Sequence, residues 1–240
     1  MNRKTIIIAS LLIVATVSVA CVITGFNDDE KTITETRNPG NFHGIDADSG
    51  FDVFLYQDGK NEVILEADSS LIEHIETKVK NGVLQIRLNK SFAKIKKLSV
   101  HVHFDEINII KASGGSDVVS KTILKQDKLE INASGGADVD VQVDANTIVA
   151  GVSGGADLDI SGTSNKLNIN ASGGSDVKAY KLKSLNALVN ASGGCDVEVF
   201  ATQQLDIDAS GASDVVFCGN PSVVNINKSG ASDVKRRMND

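Results

Sequence analysis

Apolar and polar residues alternate through most of the second half of the chain. Leu129, Ile131 and Ala133; Ile148, Ala150 and Val152; Leu167, Ile169 and Ala171; and Leu205, Ile207 and Ala209 are each separated by single residues, mostly polar ones such as Glu130, Asn132, Asn168 and Asp206. A two-residue period is that of a strand with one face buried. Each run meets a glycine-rich segment, "ASGGSDV" from Ala112 being the first, and alternation resumes beyond it with Val139 and Val141, Leu158 and Ile160, Val197 and Val199, Val215 and Phe217. A polar stretch follows, such as Asp144–Asn146 or Gly162–Asn165. The pattern predicts a unit of strand, corner, strand and turn.

The unit repeats. Its aspartates are Asp117, Asp138, Asp157, Asp176, Asp196, Asp214 and Asp233, at spacings of 21, 19, 19, 20, 18 and 19. A fixed period near twenty marks a solenoid, and the absence of any 3.6-residue stretch between units excludes helical and leucine-rich repeats. The expected fold is all-β: a parallel β-solenoid (β-helix) over 111–240, about seven coils of ~19 residues, roughly 34 Å long at one strand spacing per coil. Small Ala, Val and Ile suit a narrow interior. In the last unit Lys228 stands where other units bury Ala, and Arg236 where they bury a second apolar residue. Charge there guards an open strand edge, and Lys235–Arg237 reads as a solvated tail.

Residues 41–110 are less regular and read as a partly antiparallel N-terminal cap leading into the first coil. Ser49-Gly50-Phe51-Asp52-Val53 is a corner one residue short, Ser69–Ile75 suits a short helical turn, and Asn81-Gly82 between alternating runs is a hairpin signal. Residues 27–40 read as a polar linker. Residues 1–26 read as a leader: "MNRK" is basic and Thr5–Phe26 carries no charge. Ser18-Val19-Ala20-Cys21 resembles a lipobox, with Ser18 where Leu is usual, which makes Cys21 a lipidation site. The same residues fit ordinary signal cleavage after Ala20, and the segment is also long enough to remain as a membrane anchor. Each alternative puts the rest of the chain outside the cytoplasmic membrane.

Charge and composition narrow the partners. The formal charge is −7, and removal of Arg3 and Lys4 with a leader takes it to −9. An acidic chain with one short basic cluster does not suit nucleic acid. Aromatic content is 4% with no Trp, so stacking platforms are scarce.

The corner admits two chemistries. In one, glycine supplies the positive φ of a sharp bend and Asp accepts local backbone N–H groups. In the other, stacked carboxylates hold Ca²⁺. The segment matches the nonapeptide Ca²⁺ roll only in part: its spacing is GG-x-D, a second Gly-x-Asp element is missing, and the period is twice as long. Either way, alternation turns the repeat serines (Ser113, Ser134, Ser153, Ser172, Ser192, Ser210, Ser229) and the aspartates outward in two rows. A phosphate loop is excluded, since no GK[ST] follows and no helix begins there. His101 and His103 face one side of a strand as a candidate metal pair without an evident third ligand. Residues 111–240 hold no His, so a Ser–His nucleophile would need one of that pair. Lys178, Lys181 and Lys183 form a modest basic patch. Cys195 and Cys218 lie in different repeat phases and read as free thiols.

Taken together, the leader, "GIDADSGFDVFL" from Gly44, "NGVLQIRL" from Asn81, the "SGGSDV" series and "GNPSVVNINKSGASDV" from Gly219 resemble a family of bacterial envelope proteins common in Bacteroidetes, the putative auto-transporter adhesin, head GIN domain family. The resemblance spans roughly 38–234. It implies a β-helical fold and an adhesin-like role, and carries over no catalytic residues. The expectation is a non-catalytic, envelope-anchored solenoid whose Ser and Asp rows meet a glycan, a protein or a second copy of the chain. The alternative is a polysaccharide-active enzyme on the same scaffold.

Overall fold

The structure is a computed structural model and describes residues 31–93 and 95–237. The leader, Cys21 and the last three residues therefore lie outside the described residues. Seventeen strands form one continuous hydrogen-bonded sheet wound into a rod, without an α-helix among the described residues.

The repeat strands follow the predicted alternation. They are β10 (Leu124–Ser134), β11 (Asp138–Ser153), β12 (Asp157–Gly173), β13 (Asp176–Gly193), β14 (Asp196–Ala209), β15 (Asp214–Cys218), β16 (Val223–Lys228) and β17 (Asp233–Arg236). Each pairs in parallel with its counterpart one coil away, as in Leu129↔Ile148↔Leu167↔Ala187↔Leu205↔Val224. Their inward residues join a core that runs without a break from Ile45 to Phe217.

Two expectations fail at this level. Asp144–Asn146 and Gly162–Asn165 were expected as turns, yet β11 and β12 run straight through them. The register holds across the bend, with Val143↔Gly162, Asp144↔Thr163 and Ala145↔Ser164. Backbone groups at the bend pair with the neighbouring coils, so the chain changes direction without leaving the ladder. Small side chains fill the inside of the bend: Ala145, Ser164 and Ser184 are buried in one row, and Ser164 and Ser184 share a 2.8 Å hydrogen bond. Lys235–Arg237 is not a free tail either. Lys235 and Arg236 belong to β17, Arg236 donates to the carbonyl of Gly219, and Arg237 reaches Glu198 at 2.6 Å.

The N-terminal part consists of β1 (Thr32–Arg37), β2 (Gly44–Ala47), β3 (Asp52–Gln57), β4 (Glu62–Asp68), β5 (Ile75–Lys80), β6 (Val83–Leu88), β7 (Leu98–Phe104), β8 (Ile109–Ala112) and β9 (Asp117–Ser120). Six of these are solenoid strands in parallel register, two to a coil. The pair β2–β3 lies between β6–β7 on one side and β8–β9 on the other, so spatial order differs from chain order. Antiparallel strands then close the rod: β5 on β6, β4 on β7, and β1 on β4.

Strand β1 occupies much of the expected linker. Ile33 packs on the core, and Arg37 donates to the carbonyls of Ile72 (3.0 Å) and Ile75 (2.6 Å) around a 3₁₀ turn over Ile72–His74. The β5–β6 hairpin turns at Asn81 and Gly82, both at positive φ, as its sequence signal predicts.

Candidate functional site

The aspartate row forms as predicted and is longer than the repeats alone. Asp117, Asp138, Asp157, Asp176, Asp196, Asp214 and Asp233 pair in register, and Asp52 of β3 extends them to eight. Ser99 of β7 ends the row and donates to Asp52 at 3.3 Å. At the other end Asp233 is held by Lys235 (2.6 Å) and Lys228 (3.8 Å).

The carboxylates of the six aspartates between these ends make no hydrogen bond or ion pair with the described chain. That corrects the expectation that they accept local N–H groups. The corner N–H groups are already taken by carbonyls of the preceding coil: Asp117 N by Phe51, Asp138 N by Ser116, Gly174 N by Gly154, Asp196 N by Ser175. Partial burial, and then repulsion from Asp138 and Asp52, pushes the Asp117 carboxyl above the ordinary range. Asp196 is raised in the same way, with Asp176 and Asp214 as its neighbours.

The serines are only half turned outward. Most are partly buried, and Ser113 and Ser210 lean back on the carbonyls of Ala47 and Ala191. The residue between the glycines and Asp points fully inward: Phe51 in the coil of β2 and β3, then Ser116, Ala137, Ala156, Ser175, Cys195 and Ser213. Its restriction to small residues along the repeats was the available signal of that burial. Cys195 is therefore a packing residue whose thiol burial pushes up, and Cys218 is likewise free and buried.

The first glycine of each corner has positive φ, and a Cβ on Gly193 would sit 2.8 Å from the carbonyl oxygen of Gly173. The second glycine has no such need in the later coils, where Ala212 and Ala231 replace it.

His101 and His103 share one face, as predicted, but each has its own partners. His101 Nδ1 meets Tyr56 Oη at 3.2 Å, and His103 Nδ1 meets Asp58 at 2.8 Å while its ring stacks on Tyr56. Burial lowers the pKa of His101, against the opposing pull of Glu66. Among the described residues no group of three or more His, Cys, Asp or Glu side chains is arranged to hold a metal ion. Within the predicted basic patch, Lys183 lies over Phe200 (3.9 Å to the ring centroid) and Lys181 over Tyr180 (5.4 Å).

Sequence reasoning missed a groove of about 700 Å³ along the inside bend of successive coils. Its floor is Gln126, Ala145 and Ser164, and its walls include Asp127, Asn146 and Asn165 on one side and Lys125, Asp144, Thr163 and Lys183 on the other. These positions were assigned to turns, whose polar composition conceals that they line up.

Solved structures that share the fold include the following three. A putative adhesin of Bacteroides fragilis is 23% identical, with a TM-score of 0.82 over 89% of this chain and 100% of that one. A putative adhesin of Parabacteroides distasonis is 20% identical, with a TM-score of 0.70 over 87% and 98%. A putative lipid binding protein of the same species is 18% identical, with a TM-score of 0.67 over 86% and 96%. No curated protein matches the chain. The family described as "Putative auto-transporter adhesin, head GIN domain" matches residues 41–221, most of the described rod, and the chain belongs to that family.

Proposed function

We propose that this protein is a non-catalytic, adhesin-like component of the cell envelope that binds a partner through the polar rows on its coils. The observation that carries the reading is the set of six carboxylates, Asp117 to Asp214, left without a hydrogen bond or ion pair among the described residues. A side chain that repels its neighbours and bonds nothing inside the fold is better explained by what lies outside it. Family membership supports the same reading, as do the adhesin names of two structural relatives. Attachment to the membrane is proposed through a lipidated Cys21. No helix among the described residues is long and apolar enough to cross a bilayer.

The test is a screen of the purified protein against envelope and host glycans and surface proteins, scored for binding and for cleavage. Reproducible binding with the ligand recovered intact is expected. Cleavage that a point substitution abolishes overturns the reading in favour of a polysaccharide-active enzyme. For the anchor, Cys21→Ser is expected to yield an unlipidated protein of changed mass or membrane fraction. An unchanged mass and fraction refutes lipidation.

A further inference from the structure

We infer that the groove along the inside bend of β10 to β13 is a binding site for a neutral oligosaccharide lying parallel to the rod axis. The inference rests on the adhesion reading and adds to the carboxylate row a second contact surface with its own ligand class.

The groove crosses four successive coils, with Lys125–Asp127, Asp144–Asn146, Thr163–Asn165 and Lys183 with Leu185 each contributed by one coil. At one strand spacing per coil it is roughly 14 Å long, which suits a short extended chain. One wall is a hydrogen-bonded ladder: Asn146 Nδ2 donates to Asp127 at 3.2 Å, Asn165 Nδ2 to Asn146 at 2.8 Å, and Asn186 Nδ2 to the carbonyl of Asn165 at 3.2 Å. Each amide in such a ladder spends one N–H and keeps the other, together with spare acceptor capacity. On the opposite wall Thr163 donates to Asp144 at 2.7 Å. Donors and acceptors are thus held in place before a ligand arrives, which lowers the ordering cost of binding. Gln126 in the floor is 8% exposed, and neither polar atom of its carboxamide has a partner. These two atoms are buried beneath the floor, so the capacity open to a ligand is that of the Asn146 and Asn165 amides.

Other ligand classes fit less well. An extended peptide recognised through its main chain needs a free strand edge, and here the backbone is committed to neighbouring coils through the bend. Apolar anchor pockets are lacking, since Ala145 and Leu185 are the only hydrophobic lining residues. A polyanion needs clustered cations, whereas Lys125 and Lys183 are balanced by Glu106, Asp127 and Asp144. A polyhydroxyl chain donates and accepts at every step and brings no charge. The absence of an aromatic platform implies weak single-site affinity, so display in many copies governs the overall strength.

The test uses the protein displayed multivalently on beads against three probes: neutral hexose and N-acetylhexosamine oligosaccharides, uronate-containing oligosaccharides, and an extended-peptide library. The variants are Asn146→Ala with Asn165→Ala, and Thr163→Val, all checked for unchanged circular dichroism and Tm. Asn190→Ala serves as control, because Asn190 belongs to an amide ladder with Asn170 (2.9 Å) and does not line the groove. Support is binding of a neutral oligosaccharide that the groove variants weaken about tenfold, the factor that about 1.4 kcal/mol represents, with the control unchanged. Neutral-oligosaccharide binding indifferent to the groove variants overturns the site and leaves the adhesion reading standing. Binding only of uronate-bearing chains or peptides overturns the ligand class, again without touching that reading. If nothing on the panel or in the wider screen binds, both fall.

Discussion

The two ends of the rod solve the same problem in opposite ways. At the N-terminal end the coils are sealed by antiparallel strands and a 3₁₀ turn, and the largest fully buried side chains, Phe51, Phe104 and Leu71 among them, fill the space beneath. Arg37 ties β1 to the seal, and Lys78 and Lys80 put charge on β5 beside it. At the C-terminal end the core rows of the last described coil have no such cover. Val224 and Ile226, stacked on Leu205 and Ile207, are 41% and 45% exposed. What distinguishes this end is Lys228 and Arg236, charges standing where earlier coils bury Ala and an apolar residue. A solenoid can thus be ended by covering its core or by making its next interface unfavourable.

Truncation at the two ends should separate them most strongly. Phe51→Ala, in a fully buried site, is expected to cost about 3–5 kcal/mol in urea denaturation, and Val224→Ala under about 1 kcal/mol. Equal losses would mean that the C-terminal end is covered after all. A smaller contrast lies within a single corner. Gly193→Ala forces a side chain to positive φ and into the backbone of Gly173, an expected loss of about 1–3 kcal/mol. Gly194→Ala places a methyl in ordinary van der Waals contact with the Gly173 carbonyl oxygen (3.9 Å), where the last two coils already carry Ala, and should stay within about 0.5 kcal/mol. A third experiment removes the charge at the open end. Lys228→Ala with Arg236→Val restores the interior pattern of the earlier coils, and sedimentation should show increased self-association. No change would show that the two charges do not guard that edge.

The sequence made the repeat coils legible because period and register are both local: alternation places every inward residue, and the spacing of Asp117 to Asp233 stacks one coil on the next. It could not reveal that β2 and β3 lie between β6–β7 and β8–β9, since that order depends on pairings between distant segments that leave no local mark. The bends were misread for a different reason. Gly162, Asn146 and Asn165 carry the composition of turns, but their backbone groups are satisfied by the adjacent coils, so the strand continues. The small residues at Ala145, Ser164 and Ser184 were the clue that this position faces inward, and with it the groove was within reach of the sequence. The corner glycines were read correctly in purpose. The aspartates were read correctly only at Asp233 in the last coil, which accepts the Val234 N–H at 2.9 Å, because in the stacked coils the corner N–H groups are already taken by their neighbours.

The central claim is that the carboxylate row faces outward for a partner and does not hold the corners. Both raised carboxyls, Asp117 and Asp196, disfavour the folded state when ionised: their contribution is most favourable at low pH, where they are protonated, and is lost as pH rises through their elevated folded values. The most direct measurement is the Tm of the Asp117→Asn, Asp196→Asn double variant at pH 7 and again below about pH 4. Relief of like-charge repulsion across the coils, at most about 1 kcal/mol per site and reduced by solvent screening, predicts a Tm raised by roughly 1–4 °C at pH 7, with the gain disappearing in acid. A lower Tm at pH 7 would contradict the account and return the row to a structural role.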